Sequence, residues 1–253
     1  MTAETGARTK RLGVLALVAL LGAVAAASDT GTAAGAEGER ATVVLLHGLG
    51  RSERSMARLA GVLEAEGFRA VNLGYPSRAH TIRTLADTLA VELDACCADA
   101  DTLHFVTHSL GGILVRIWEH EYEPENLGRV VMLSPPNQGS DVAERLPDRL
   151  LELVMGPASV QLGTDSASVP LRLPPADFEL GIITGDASLN PLFSSWLPGD
   201  DDGLVAVESA WVEGADDFLV VPYTHTFIMY RERVMEEVVA FLRNGRFSTA
   251  HEQ

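Results

Sequence analysis

The chain has 253 residues, is 47% hydrophobic and 21% charged, and carries a formal charge of −16. That is enough chain for one α/β domain with a sizeable core, and the composition excludes a disordered or fibrous protein. The acidic balance argues against nucleic acid as a partner, because phosphates would be repelled, and against electrostatic docking on anionic lipid.

Arg8, Lys10 and Arg11 precede an uncharged apolar run from Leu12 to Ala27 that ends in three alanines. A basic start, a short apolar run and small residues at its end are the parts of a signal peptide. A membrane-spanning helix needs about 20 apolar residues, so the run is short for a permanent anchor. The expectation is export to the periplasm or medium with cleavage near Ala27–Ser28, an uncleaved signal anchor being the alternative. Residues 28–40 read as a flexible linker, 41–247 as the folded domain and 248–253 as a tail.

Ala41 to Leu46 is a near-continuous apolar strand, as a parallel sheet covered on both faces requires. It ends in His47-Gly48-Leu49-Gly50. Ser52 caps the next helix, whose apolar face carries Met56, Leu59, Ala60 and Leu63 and which Gly67 stops. Phe68 to Leu73 is a strand, and Thr81 to Cys97 is a helix with Ile82, Leu85, Leu89 and Leu93 at helical spacing. Adjacent cysteines make neither a relaxed disulfide nor, alone, a zinc site, so at least one of Cys96 and Cys97 is expected as a small core residue. Further strands are expected at Leu103–Thr107, Arg129–Leu133, Phe178–Thr184 and Asp217–Val221. Val234, Val238, Phe241 and Leu242 mark a last helix. Strands and helices alternate, which calls for a mostly parallel central sheet with helices on both faces. From 134 to 176 the alternation breaks. Leu146, Leu150, Leu151, Val154 and Met155 fit an amphipathic helix there, and the segment is either a cap or lid or an excursion packed on the sheet edge.

The chemistry centres on Thr107-His108-Ser109-Leu110-Gly111-Gly112. A strand reversing this sharply into a helix strains its apex and lifts the apex side chain above the sheet, which is the geometry of a nucleophile elbow; Thr107 stands where the motif has glycine. A serine needs a base to take its proton, and the base needs a third group to fix its tautomer. Of the seven histidines, His225 and His251 lie well downstream. His251 sits in the tail, whereas His225 follows the last strand at the carboxyl edge of the sheet, where such folds hold ligands. His108 is read as packing the elbow, His104 as a core residue, and His47 as a loop residue whose neighbours matter more than its ring. The acid is sought after the preceding strand. Asp202 is best placed to point inward, with Asp200, Asp201 and Asp186 as alternatives. The three aspartates read otherwise as a mostly solvated turn. Calcium needs six or more oxygen ligands, more than the turn supplies, so no metal and no cofactor are expected. An oxyanion needs two backbone N–H donors, and Leu110 and Leu49 are positioned to give them.

These pieces resemble the lipase/esterase branch of the α/β-hydrolase superfamily, nearest to lipase-like and GPI inositol-deacylase-like serine hydrolases. The matching stretches are 43–50, 106–113, Pro-Pro-Asn-Gln-Gly-Ser (135–140), Asp-Gly-Leu-Val (202–205) and His-Thr-Phe (225–227). The resemblance implies a Ser109–Asp202–His225 triad, ester hydrolysis through an acyl-enzyme, and an eight-stranded type of sheet, reduced here because little chain precedes Ala41. The substrate expected is a small-molecule or lipid ester, with contact to a lipid interface. A non-catalytic binding protein, or an acyltransferase or amidase using the same triad, are the alternatives.

Overall fold

The computed structural model describes residues 41–248. The predicted leader, the linker, His251 and most of the tail lie outside them. The elements run β1 (Thr42–Leu46), α1 (Ala57–Ala65), β2 (Arg69–Leu73), α2 (Ile82–Cys97), β3 (Leu103–His108), α3 (Leu110–Tyr122), β4 (Leu127–Leu133), α4 (Asp141–Arg145), α5 (Asp148–Met155), β5 (Leu180–Gly185), α6 (Pro191–Ser194), α7 (Val207–Ala210), β6 (Asp217–Val221) and α8 (Glu232–Asn244). Among the described residues the strands form one six-stranded sheet, ordered β2-β1-β3-β4-β5-β6. Every neighbouring pair is parallel. Among the described residues the sheet is therefore two strands short of the eight that the resemblance implies.

Strand alternation sorts the core into two layers. Val44, Leu46, Phe105, Met132 and Ile182 face α2 and α3. Val43, Leu45, Val106, Leu133 and Ile183 face α1 and α8. Both faces are covered, which explains why β1 and β3 are wholly buried and read as unbroken apolar runs. Chain order turns outward in opposite directions from β1 and β3. Their carboxyl ends thus flank the topological switch point, where this class of sheet opens a crevice.

The insertion after β4 holds α4 and α5 and is tied down by Arg116 of α3. Arg116 is 4% exposed. Its guanidinium donates to Asn137 Oδ1 at 3.1 Å and to the Pro174 carbonyl at 2.8 Å, near the two ends of the segment. Cys97 is buried on the inner face of α2 as expected. Its sulfur is nevertheless bonded to that of Cys96, so the adjacent cysteines form a vicinal disulfide instead of two separate thiols. No helix among the described residues is long and apolar enough to cross a membrane.

Candidate active site

Ser109 sits between the last residue of β3 and the first of α3, with φ 51° and ψ −119°. A non-glycine residue at positive φ is strained, and such strain persists only where its surroundings impose it. Here the Ser109 N–H donates to the Leu133 carbonyl at 2.9 Å, and its own carbonyl accepts from Gly112 N–H at 3.0 Å. The glycines that follow admit the close approach. A Cβ on Gly111 would lie 2.9 Å from the Leu46 carbonyl oxygen, and one on Gly112 3.0 Å from Met132 Sδ. Thr107 is fully buried and does not relax the elbow.

The loop after β1 lies against this turn. A Cβ on Gly48 would be 2.6 Å from His108 Nδ1 and 3.2 Å from Ser109 Cβ, so only glycine fits. His47 braces the loop: its Nε2 accepts from Tyr75 N–H at 3.3 Å, which leaves Nδ1 to donate to the Gly48 carbonyl at 2.9 Å. The ring stacks on Tyr75 at 4.2 Å, and the Tyr75 hydroxyl donates to the His47 carbonyl. Burial pushes the His47 pKa down, so the ring acts as a neutral brace. Leu49 faces the same cavity as Ser109. Leu110 is the first residue of α3, a position whose N–H has no partner within the helix.

His225 and Asp202 come together from two different loops. His225 Nδ1 lies 2.8 Å from Asp202 Oδ2, and the residues are 6% and 1% exposed. The other carboxylate oxygen, Oδ1, accepts from Leu204 N–H at 3.0 Å and Val205 N–H at 2.8 Å. The Asp202 carbonyl also accepts from His225 N–H at 2.9 Å. Asp186 and Asp200 are exposed. The expectation that most of the aspartate turn is solvated is corrected at Asp201, which is 7% exposed and accepts from Ser194 Oγ and Gly203 N–H at 2.9 and 2.7 Å.

Two residues hold the His225 loop that sequence reasoning did not connect to it. His108 Nε2 donates to the His225 carbonyl at 3.0 Å, and the ring centroids lie 4.8 Å apart with the planes tilted by 52°. Burial first, and the neighbouring imidazole second, hold the His108 pKa well below its ordinary value. Arg51 donates from Nη2 to the Thr226 carbonyl at 2.8 Å. These pairs are 117 and 175 residues apart in the chain, and no local pattern signals them. His104 accepts from Arg129 N–H at 2.7 Å and is a satisfied core residue, as read.

Ser109, His225 and Leu49 line one cavity of about 580 Å³. Leu146, Leu150, Leu151 and Val154 form much of its opposite wall. The leucine-rich insertion is thus a cavity wall and not only an edge packing. No group of three or more metal-ligating side chains occurs among the described residues.

A family model described as the alpha/beta hydrolase family matches residues 43–243. No curated protein matches the chain. The phospholipase PlaB from Legionella pneumophila superposes with a TM-score of 0.62 at 18% identity, covering 74% of this chain and 53% of its own. This chain thus spans about half the length of that relative. The mature lipase BlEst2 from Bacillus licheniformis gives 0.59 at 17% identity, covering 83% and 93%. A metagenomic carboxyl esterase gives 0.61 at 21% identity, covering 76% and 66%. At these identities the likeness is one of fold. With the family model covering most of its length and the sheet, elbow and loop order described above, the chain belongs to the alpha/beta hydrolase family.

Proposed function

We propose that the protein is a serine esterase or lipase acting on carboxylic esters through an acyl-enzyme on Ser109. The observation that carries this reading is the buried His225–Asp202 hydrogen bond beside a strained serine in one apolar-walled cavity. Asp202 holds the imidazole in the Nδ1–H tautomer, which frees Nε2 to act as base. Nε2 takes the Ser109 hydroxyl proton as Oγ bonds to the ester carbonyl carbon. The oxyanion that forms accepts from the N–H groups of Leu49 and Leu110. The intermediate collapses, the carbon–oxygen bond to the alcohol breaks, and the alcohol leaves with the proton from Nε2. Water then repeats the sequence on the acyl-enzyme and releases the acid. The apolar wall suits an acyl chain, which makes lipid and other apolar esters the substrate class.

Hydrolysis of p-nitrophenyl butyrate by wild type, Ser109→Ala and His225→Ala tests the mechanism. Each variant is expected to lose on the order of 10⁴-fold in kcat, and a fluorophosphonate probe is expected to label wild type at Ser109 alone. A Ser109→Ala variant as active as wild type sinks the mechanism. An unlabelled, inactive wild type favours a binding protein. Residues 1–27 belong to the same proposal as a cleaved export signal, and N-terminal sequencing of protein recovered outside the cell checks it.

A further inference from the structure

A second cavity, about 410 Å³, lies beside the first and shares Gly50 and Arg51 with it. Its character is different. Arg51, Ser77, Arg78 and Glu152 line it. Arg51 is half-buried and Arg78 exposed, and neither makes an ion pair among the described residues. The bond to the Thr226 carbonyl fixes the Arg51 guanidinium while using one of its five N–H donors. The two arginines lie on loops that are tied together. Ser77 Oγ accepts from Gly50 N–H at 3.1 Å, and Arg78 Cδ passes 3.9 Å from where a Gly50 Cβ would stand.

We propose that this cavity is a subsite for an anionic group, a phosphate or a carboxylate, carried on the alcohol side of the ester. The proposal rests on the serine-hydrolase reading and names its substrate class: an amphiphile with an apolar acyl chain and a negative group near the ester bond. Two guanidinia against one carboxylate make a local positive excess in a chain whose formal charge is −16, and such a pocket concentrates anions. The planar fork of a guanidinium matches the paired oxygens of phosphate and carboxylate. Because Gly50 and Arg51 belong to both cavities, one molecule can place its acyl chain among the leucines and its negative group on the arginines, with the ester at Ser109. A wholly apolar ester would leave the second cavity to water.

The test compares octanoylglycerol, octanoylglycerol phosphate and octanoylglycolate below their micellar concentrations, with release of octanoate as the readout. The two charged esters separate phosphate from carboxylate as the favoured anion. Arg78→Gln is expected to raise KM for the preferred anionic ester about fivefold, the scale of one exposed charge contact, and to leave kcat and the neutral ester unchanged. Glu152→Gln is expected to lower KM for the anionic ester about twofold by removing a like charge. Raising the ionic strength to about 0.5 M should weaken only the anionic ester. The proposal is overturned if Arg78→Gln shifts neutral and anionic esters equally or neither, if Glu152→Gln weakens the anionic ester, or if wild type cleaves only the neutral one. Failure on all three esters together with an unlabelled Ser109 overturns the hydrolase reading itself and this proposal with it.

Discussion

Two buried aspartates stand side by side in one turn, and their partners separate their roles. Asp202 spends one carboxylate oxygen on the turn and the other on His225. Asp201 spends Oδ1 on the turn and on Ser194. In Asp202→Asn the amide oxygen can still serve the backbone, but the amide nitrogen then meets the Nδ1–H of His225, donor against donor. The imidazole is driven to the other tautomer, whose Nε2 carries a proton and cannot act as base. A fall in kcat on the order of 10⁴-fold with little change in Tm is therefore expected. Asp201→Asn should do the reverse, keeping activity and lowering Tm by roughly 2–4 °C for about 1 kcal/mol of weakened hydrogen bonding. Kinetics and thermal melts of the two variants decide the matter. Equal activity losses in both would remove the distinction.

The same contrast shows what can be read from residue order and what cannot. The elbow, the His-Gly loop and the sheet are local or periodic features: β6 lies at Asp217–Val221 as expected, and the α2 boundary differs by one residue because Thr81 caps it with its side chain. Strand ends shift elsewhere, β4 starting at Leu127, because ladder pairing extends beyond the apolar run. The choice among the aspartates needed the inward turn at Gly203, and the clamps from Arg51 and His108 needed the folded loops. The insertion is the least legible segment in the sequence, since an amphipathic helix packs its apolar face wherever a neighbour offers one. In the structure α5 buries Leu151, while Leu150 and Val154 on the wall of the first cavity are 50% and 49% exposed and Leu153, which lines the second, is 80% exposed. An apolar cluster left in water there is suited to a lipid surface. Leu153→Ser, which removes the most exposed of these side chains, should lower the rate on micellar esters severalfold and leave soluble short-chain esters unaffected. A chain-length series run with and without micelles reads this out. Equal effects on both would make α5 a plain wall.

At the level of the whole molecule, burial of titratable groups sets opposing trends of stability with pH. Burial depresses the pKa values of His47, His104 and His108 below the ordinary 6.5. The unfolded chain therefore binds more protons than the folded one once the pH falls below 6.5, and stability drops from there downward. Glu119 on α3 works the other way. Burial, with a hydrogen bond to Asp177 and the charges of Asp177 and Glu123, raises its pKa from the ordinary 4.5 to about 7, against the pull of Arg116. Its contribution is fully present below pH 4.5 and is lost as the pH rises through about 7. Between these limits the carboxyl masks part of the histidine effect. Glutamine keeps the shape of the protonated carboxyl and cannot ionise. Glu119→Gln should therefore raise Tm at pH 8 and change it little at pH 5. In that variant the urea midpoint should fall from pH 7 to pH 5 more steeply than in wild type, because the opposing response of Glu119 is gone. Urea unfolding of both proteins across this range checks the sign. A Tm gain as large at pH 5 as at pH 8 would show that Glu119 is not held protonated by the fold, and a flat midpoint in the variant would show that the buried imidazoles accept protons without opening it.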